Sequence, residues 1–177
     1  MRIIAGQFRS RRIKSIRGLD VRPTPDRLRE ALFSVLTPRV SGSVFVDAYA
    51  GSGSVGIEAI SRGASHVIFI EKNRVALQVI RENLRSLGIL NGFEIRPGKA
   101  ATRLAGLAAD IVFLDPPYPR ESEYGASLNA LADNPPPLVI AQHDCRHVLE
   151  DRYGALHRGR VLRQGDNSLS FYEPEPS

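Results

Sequence analysis

The chain has a single cysteine, Cys145, among 177 residues, so no disulfide can form within it, and a reducing compartment suits it. Nowhere do eighteen uncharged apolar residues follow one another, and the opening Met1-Arg2-Ile3-Ile4-Ala5-Gly6 has no long apolar run. Both absences argue against a membrane span or a secretory leader. The expectation is a cytoplasmic protein with no membrane partner, acting as a monomer. His143, Cys145 and His147 alternate without a distant partner pair, which is not a zinc-ligand spacing, so no metal is expected. There is no internal repeat, no low-complexity tract and no arrangement suggesting a nucleophilic Ser or Cys triad.

Hydrophobic residues make up 42% of the chain, enough for one well-buried core and too few for two. The net charge of +5 is unevenly placed. Met1 to Arg39 holds ten Lys/Arg against three Asp/Glu, a local +7, which leaves −2 for the remainder. A basic arm on a near-neutral body suits a phosphate-covered partner, because neutralising phosphates releases counterions; a merely solvated face would show the same composition. Residues 1–39 are therefore read as a basic extension and 40–177 as the main domain. Within the extension, Arg2 to Ile16 reads as a basic hairpin of two short strands, and Asp26 to Leu36 carries apolar residues at helical spacing after Pro25.

From Ser43 onward, strands and helices alternate. Val44 to Val46, Val67 to Ile70, Ile111 to Leu114 and Leu138 to Ile140 are unbroken apolar strands, with a weaker one at Phe93 to Ile95. Helices are expected near Val55–Arg62, Arg74–Leu87, Ala100–Leu107 and Leu128–Ala132. Continuous apolar strands between amphipathic helices indicate an α/β fold with a parallel sheet covered on both faces. Near the C-terminus, Val161 to Gln164 and Ser168 to Tyr172 flank Gly165-Asp166-Asn167, a hairpin turn that would end the sheet on antiparallel strands.

Two constellations fall where strands end. In Asp47-Ala48-Tyr49-Ala50-Gly51-Ser52-Gly53-Ser54-Val55-Gly56, Gly51 and Gly53 let a ligand approach the main chain closely, and Glu71 closes the next strand, where a carboxylate can accept from ribose hydroxyls. The glycine triplet also satisfies the dinucleotide pattern, and a tight turn with a helix-capping acid and no ligand would use the same residues. Asp47 puts negative charge where a pyrophosphate would run, and the same charge favours a ligand bearing an ammonium and a sulfonium, as S-adenosylmethionine does. The second constellation, Asp115-Pro116-Pro117-Tyr118, follows the strand Ile111 to Leu114. An exocyclic base amine is a poor nucleophile because its lone pair is delocalised. Hydrogen bonds from the amine to Asp115 and to the Pro116 carbonyl would favour a pyramidal nitrogen; the prolines fix that carbonyl, and Tyr118 can stack on an extruded base.

These residues, with the opening Arg2-Ile3-Ile4-Ala5-Gly6-Gln7-Phe8 and the segment Arg22-Pro23-Thr24-Pro25-Asp26-Arg27-Leu28-Arg29-Glu30, resemble the bacterial RsmD-type methyltransferases, which modify the N2 of a guanine in small-subunit ribosomal RNA. The resemblance implies a Rossmann-like class I fold with a mostly parallel seven-stranded sheet and an antiparallel C-terminal strand. It also implies S-adenosylmethionine as methyl donor without a metal, and ribosomal RNA, within the small subunit or an assembly intermediate, as partner. The candidate catalytic residues are Asp115, Pro116, Pro117 and Tyr118; those for the cofactor are Asp47, Tyr49, Ala50, Gly51, Ser52, Gly53, Glu71, Lys99 and Ala100. Lys99 stands where relatives often carry an acid or amide for the adenine amine, so the main chain at Lys99 and Ala100 takes that part. Arg9, Arg11, Arg12, Lys14, Arg22, Thr24 and Arg27 are the candidate RNA contacts. A DNA adenine-N6 methyltransferase, a nicotinamide-dependent oxidoreductase and a non-catalytic RNA-binding relic of the fold are the alternatives.

Overall fold

A computed structural model describes residues 1–16, 24–117 and 121–177. Its eight strands are β1 (Val44–Asp47), β2 (His66–Glu71), β3 (Phe93–Pro97), β4 (Ile111–Leu114), β5 (Leu138–Asp144), β6 (Arg152–Tyr153), β7 (Leu156–Gln164) and β8 (Asn167–Pro174). Five helices accompany them: α1 (Asp26–Val40), α2 (Ser54–Ser61), α3 (Arg74–Ser86), α4 (Ala100–Leu104) and α5 (Ser122–Ala132). The strands form one sheet in the order β3-β2-β1-β4-β5-β8-β7-β6. The first five are parallel, and β8 pairs antiparallel with both β5 and β7.

Strand alternation divides the core. Phe45, Phe69 and Phe113 point to the face covered by α1, α2 and α3, where Ile57, Ile80 and Leu32 meet them. Val46, Ile68, Ile70, Val112 and Leu114 point to the other face, against Leu104 of α4 and Leu128 and Leu131 of α5. Burial on both sides is why β1, β2 and β4 read as unbroken apolar runs. Gly56, the third glycine of the triplet, serves this packing: a Cβ there would lie 2.3 Å from Cε1 of Phe69.

The sheet has the layout expected of the class I fold, with one correction. The two-residue β6 adds an eighth strand at the edge, too short to leave a periodic signal. The basic arm also differs from expectation. The two segments do turn back antiparallel on each other, Ile3 donating to the Arg11 carbonyl and Ile13 to the Met1 carbonyl at 3.0 Å each, but the pairing amounts to one isolated bridge, Arg2 with Arg12, in place of two strands. Ile4 and Ala5 donate their amides to the Glu58 carboxylate, at 2.9 and 3.0 Å, and the Gln7 amide donates to the Ser61 carbonyl. Ile3 and Ile13 are buried in the same core as α1 and α2.

Candidate active site

In the strand order, β1 and β4 are neighbours while their connections run to opposite sides of the sheet, and ligands gather at the carboxyl ends of strands flanking such a point. The turn after β1 and the Asp-Pro-Pro segment after β4 both lie there. Asp47 pairs in register with Phe113, two residues before Asp115.

The turn is held open by its own chain. Gly51 and Gly53 have φ of 56° and 83°, conformations that a side chain would strain. The Ala50 amide donates to the Ile70 carbonyl, and the Gly51 amide donates to Glu71 Oε2 at 2.8 Å. The other oxygen of Glu71 accepts from the Lys72 and Asn73 amides, both at 2.9 Å. Glu71 thus ties the glycine turn to the end of β2, with part of its acceptor capacity left over. Asn83 of α3 donates to the Ser52 carbonyl and so supports the turn from below.

Asp47 is 2% exposed, and its Oδ2 accepts from the Gly56 amide at 2.9 Å. It satisfies an amide in the first turn of α2, whose N-cap Gly53 has no side chain to do so. Burial pushes the Asp47 carboxyl up to about 7; the Gly56 bond opposes this, and the charges of Asp115 and Glu71 add to it. Burial likewise pushes Asp115 up to about 7, against the hydrogen bond donated by the Thr24 hydroxyl. An aspartate whose ionisation is opposed by burial and by two neighbouring acids makes a site that gains from a cation.

The remaining candidates are distributed as follows. Ala50, Gly51 and Gly53 are buried, and Tyr49 is half-buried with its hydroxyl directed to α5, 2.6 Å from Ser127 Oγ and 3.1 Å from Glu123. Lys99 is exposed as the N-cap of α4, and Ala100 opens that helix in the core. Pro116 is buried and Pro117 half-buried, whereas Tyr118 lies outside the described residues, as does Arg22. Arg9, Arg11, Arg12, Lys14 and Arg27 are exposed, with Lys14 paired to Glu82 and Arg11 reaching the Ser86 carbonyl. Thr24, grouped by sequence with the RNA contacts, is 8% exposed, and its hydroxyl donates to Asp115 Oδ2 at 3.3 Å.

Sequence reasoning passed over Glu58, which is 0% exposed and also accepts from Arg62 Nε at 2.9 Å. A lone acid inside the apolar run Val55-Gly56-Ile57-Glu58-Ala59-Ile60 was the available signal, since a buried carboxylate demands several donors. His143 is engaged by Ser170 Oγ at 2.8 Å and by the Asp144 carbonyl. Among the described residues no three His, Cys, Asp or Glu converge as a metal site, and no helix is long and apolar enough to cross a membrane.

With this geometry in view, comparison with known proteins is specific. A family model described as conserved hypothetical protein 95 matches residues 1–173. The chain is 38% identical to the ribosomal RNA small subunit methyltransferase D of Escherichia coli, over 76% of this chain and 68% of that one. It is 32% identical to YlbH of Bacillus subtilis, named as a candidate rRNA methyltransferase, over 98% of both. Among solved structures, the Escherichia coli protein yhhF, titled a candidate methyltransferase, superposes with a TM-score of 0.87 at 30% identity, covering 99% of this chain and 98% of that one.

Proposed function

The chain belongs to the RsmD family of methyltransferases, and from that premise we propose that it methylates the N2 amine of a guanine in small-subunit ribosomal RNA, with S-adenosylmethionine as donor. The observation that carries the reading is the meeting of Asp115 and the glycine turn at the β1/β4 switch point, beside the buried Asp47.

The donor set fits this cofactor. Gly51 and Gly53 offer main chain for close approach, Glu71 retains acceptor capacity for a ribose hydroxyl, and Asp47 and Asp115 concentrate negative charge where a cationic ligand would be welcome. The main chain at Lys99 and Ala100, with Tyr49, Ala50 and Ser52, completes the cofactor side. When bound, S-adenosylmethionine supplies an electrophilic methyl on a positively charged sulfur.

The chain's own residues then act on the amine. Asp115 and the Pro116 carbonyl accept its two N–H groups, which turns the nitrogen lone pair toward the methyl, while Pro117 keeps the loop rigid and Tyr118 stacks on the base. An ordinary aspartate, with pKa about 4, is a weak sink for the proton that must leave once nitrogen has become cationic. At about 7, Asp115 is a better one, though still far too weak a base to deprotonate the neutral amine first. Catalysis is positioning and electrostatics. Residues 1–39 form the RNA-facing extension, with Arg9, Arg11, Arg12, Lys14, Arg22 and Arg27 on phosphates, and 40–177 the transfer domain. The enzyme works as a cytoplasmic monomer.

The test is transfer of labelled methyl to purified small ribosomal subunits and to naked ribosomal RNA, followed by digestion to nucleosides. N2-methylguanosine is expected, with Asp115→Asn lowering kcat about 100-fold or more. Methylation of DNA adenine, or cofactor binding with no transfer to any RNA form, would overturn the reading.

A further inference from the structure

Asp115 has to be held still and kept charged in a place that opposes charge. Among the described residues one side chain donates a hydrogen bond to it, the hydroxyl of Thr24, from 91 positions earlier in the chain. We propose that Thr24 is a positioning residue for Asp115: its hydroxyl occupies Oδ2, stabilises the carboxylate, and leaves Oδ1 for the substrate amine. This rests on the functional reading above.

Two observations support the assignment. Thr24 is buried, so its hydroxyl bonds within the protein and not with bulk water. Its mount is stiff as well. The residue before a proline is confined to extended backbone, a β-branched side chain has few χ1 states, and the Pro25 carbonyl accepts the amides of Leu28 and Arg29 at 3.0 Å each. One turn into α1, the Arg29 guanidinium is wholly buried, donating to the Arg2 carbonyl at 2.8 Å and to Asp26 at 2.7 Å. The start of α1 is thereby fastened to the arm, with Arg29 Nη1 3.9 Å from Glu58 of α2, and Thr24 is carried at its tip.

The groups facing Asp115 set the sign of the effect. Asp47 at the end of β1 and Tyr124 of α5 both feel its charge, and Thr24 is the donor that counters burial. Removing that donor moves the Asp115 titration to higher pH. Because the ionised carboxylate is the active form, the acid limb of kcat follows it upward, and at a fixed pH below that limb the rate falls.

The experiment compares wild type, Thr24→Val and Thr24→Ser. The Asp115 carboxyl, identified by its loss in Asp115→Asn, is titrated by carbon-13 NMR, and methyl transfer to small subunits is followed against pH. In Thr24→Val, Asp115 is expected to titrate at higher pH and kcat near neutrality to fall about tenfold. KM for subunits should stay within about twofold, and Thr24→Ser should restore both readouts. An unchanged Asp115 titration overturns the proposal whether or not transfer is detected. So does a serine variant as impaired as the valine one, or a loss confined to KM, which would return Thr24 to the RNA contacts. Absence of transfer by wild type, with the titration displaced as expected, would instead overturn only the functional reading.

Discussion

Asp47 and Asp115 are aspartates held near 7 mainly by burial, with Asp115 and Glu71 adding their charge at Asp47. Between the ordinary carboxylate range and about 7, the folded chain binds more protons than the unfolded one. These two groups therefore favour folding on the acid side and lose that contribution as pH rises through about 7. A cationic ligand reverses the preference by stabilising the ionised forms. Binding of S-adenosylmethionine near pH 6.5 is thus expected to release protons, and its affinity to climb with pH up to about 7 and then level off. Calorimetry in two buffers of different protonation enthalpy measures this directly. Equal apparent enthalpies in both buffers would show that neither acid changes state, and Asp47→Asn with Asp115→Asn should abolish the difference.

Among the elements, α2 does more than cover the sheet. Its Glu58 carboxylate collects the Ile4 and Ala5 amides and Arg62 Nε, with Arg29 Nη1 at 3.9 Å. This buried acid is one latch of the basic arm, beside Ser61 of α2, which bonds Ala5, Gln7 and Phe8, and Asn83 of α3, which bonds the Lys14 backbone. Glu58→Gln would turn an amide donor toward groups that themselves donate and would leave Arg29 facing fewer countercharges, a loss of about 3–5 kcal/mol. A lowered Tm, together with faster hydrogen exchange at Ile4 and Ala5 than in α3, is the expected outcome. If exchange at the arm is unchanged, Glu58 is not a latch. The elements themselves were largely legible: β1, β2, β4 and β5 announce themselves as apolar runs, and α3 by its stripe of Leu77, Ile80 and Leu84. The arm was legible as a chain that turns back on itself, but its anchoring was not, because its partners lie on α2 and α3, more than fifty positions along.

Across the whole molecule, the charge asymmetry predicts how the chain meets RNA. Arg9, Arg11 and Arg12 are exposed on an arm whose backbone is anchored, so they can reach phosphates without first ordering the chain. Replacing any one of them should weaken binding to subunits at every sequence and reduce the salt slope by about one. Arg12→Ala, measured by binding across a salt series, is expected to show this, with methyl transfer restored at saturating subunits. An unchanged slope would place Arg12 on a solvated face.

The sequence alone was sufficient for the α/β class, the glycine turn after β1 and the acid after β4, because apolar periodicity and turn chemistry are local and are written in consecutive residues. Only the tertiary structure decided which strands are neighbours, that Asp47 caps α2, that Glu71 ties down Gly51, and that Thr24 meets Asp115. Thr24 and Asp115 are 91 positions apart and Gly51 and Glu71 are 20, and even the nine positions from Asp47 to Gly56 are joined only when the turn closes. The raised carboxyls are likewise a tertiary matter, since burial and neighbouring charge exist only once distant segments have closed over them.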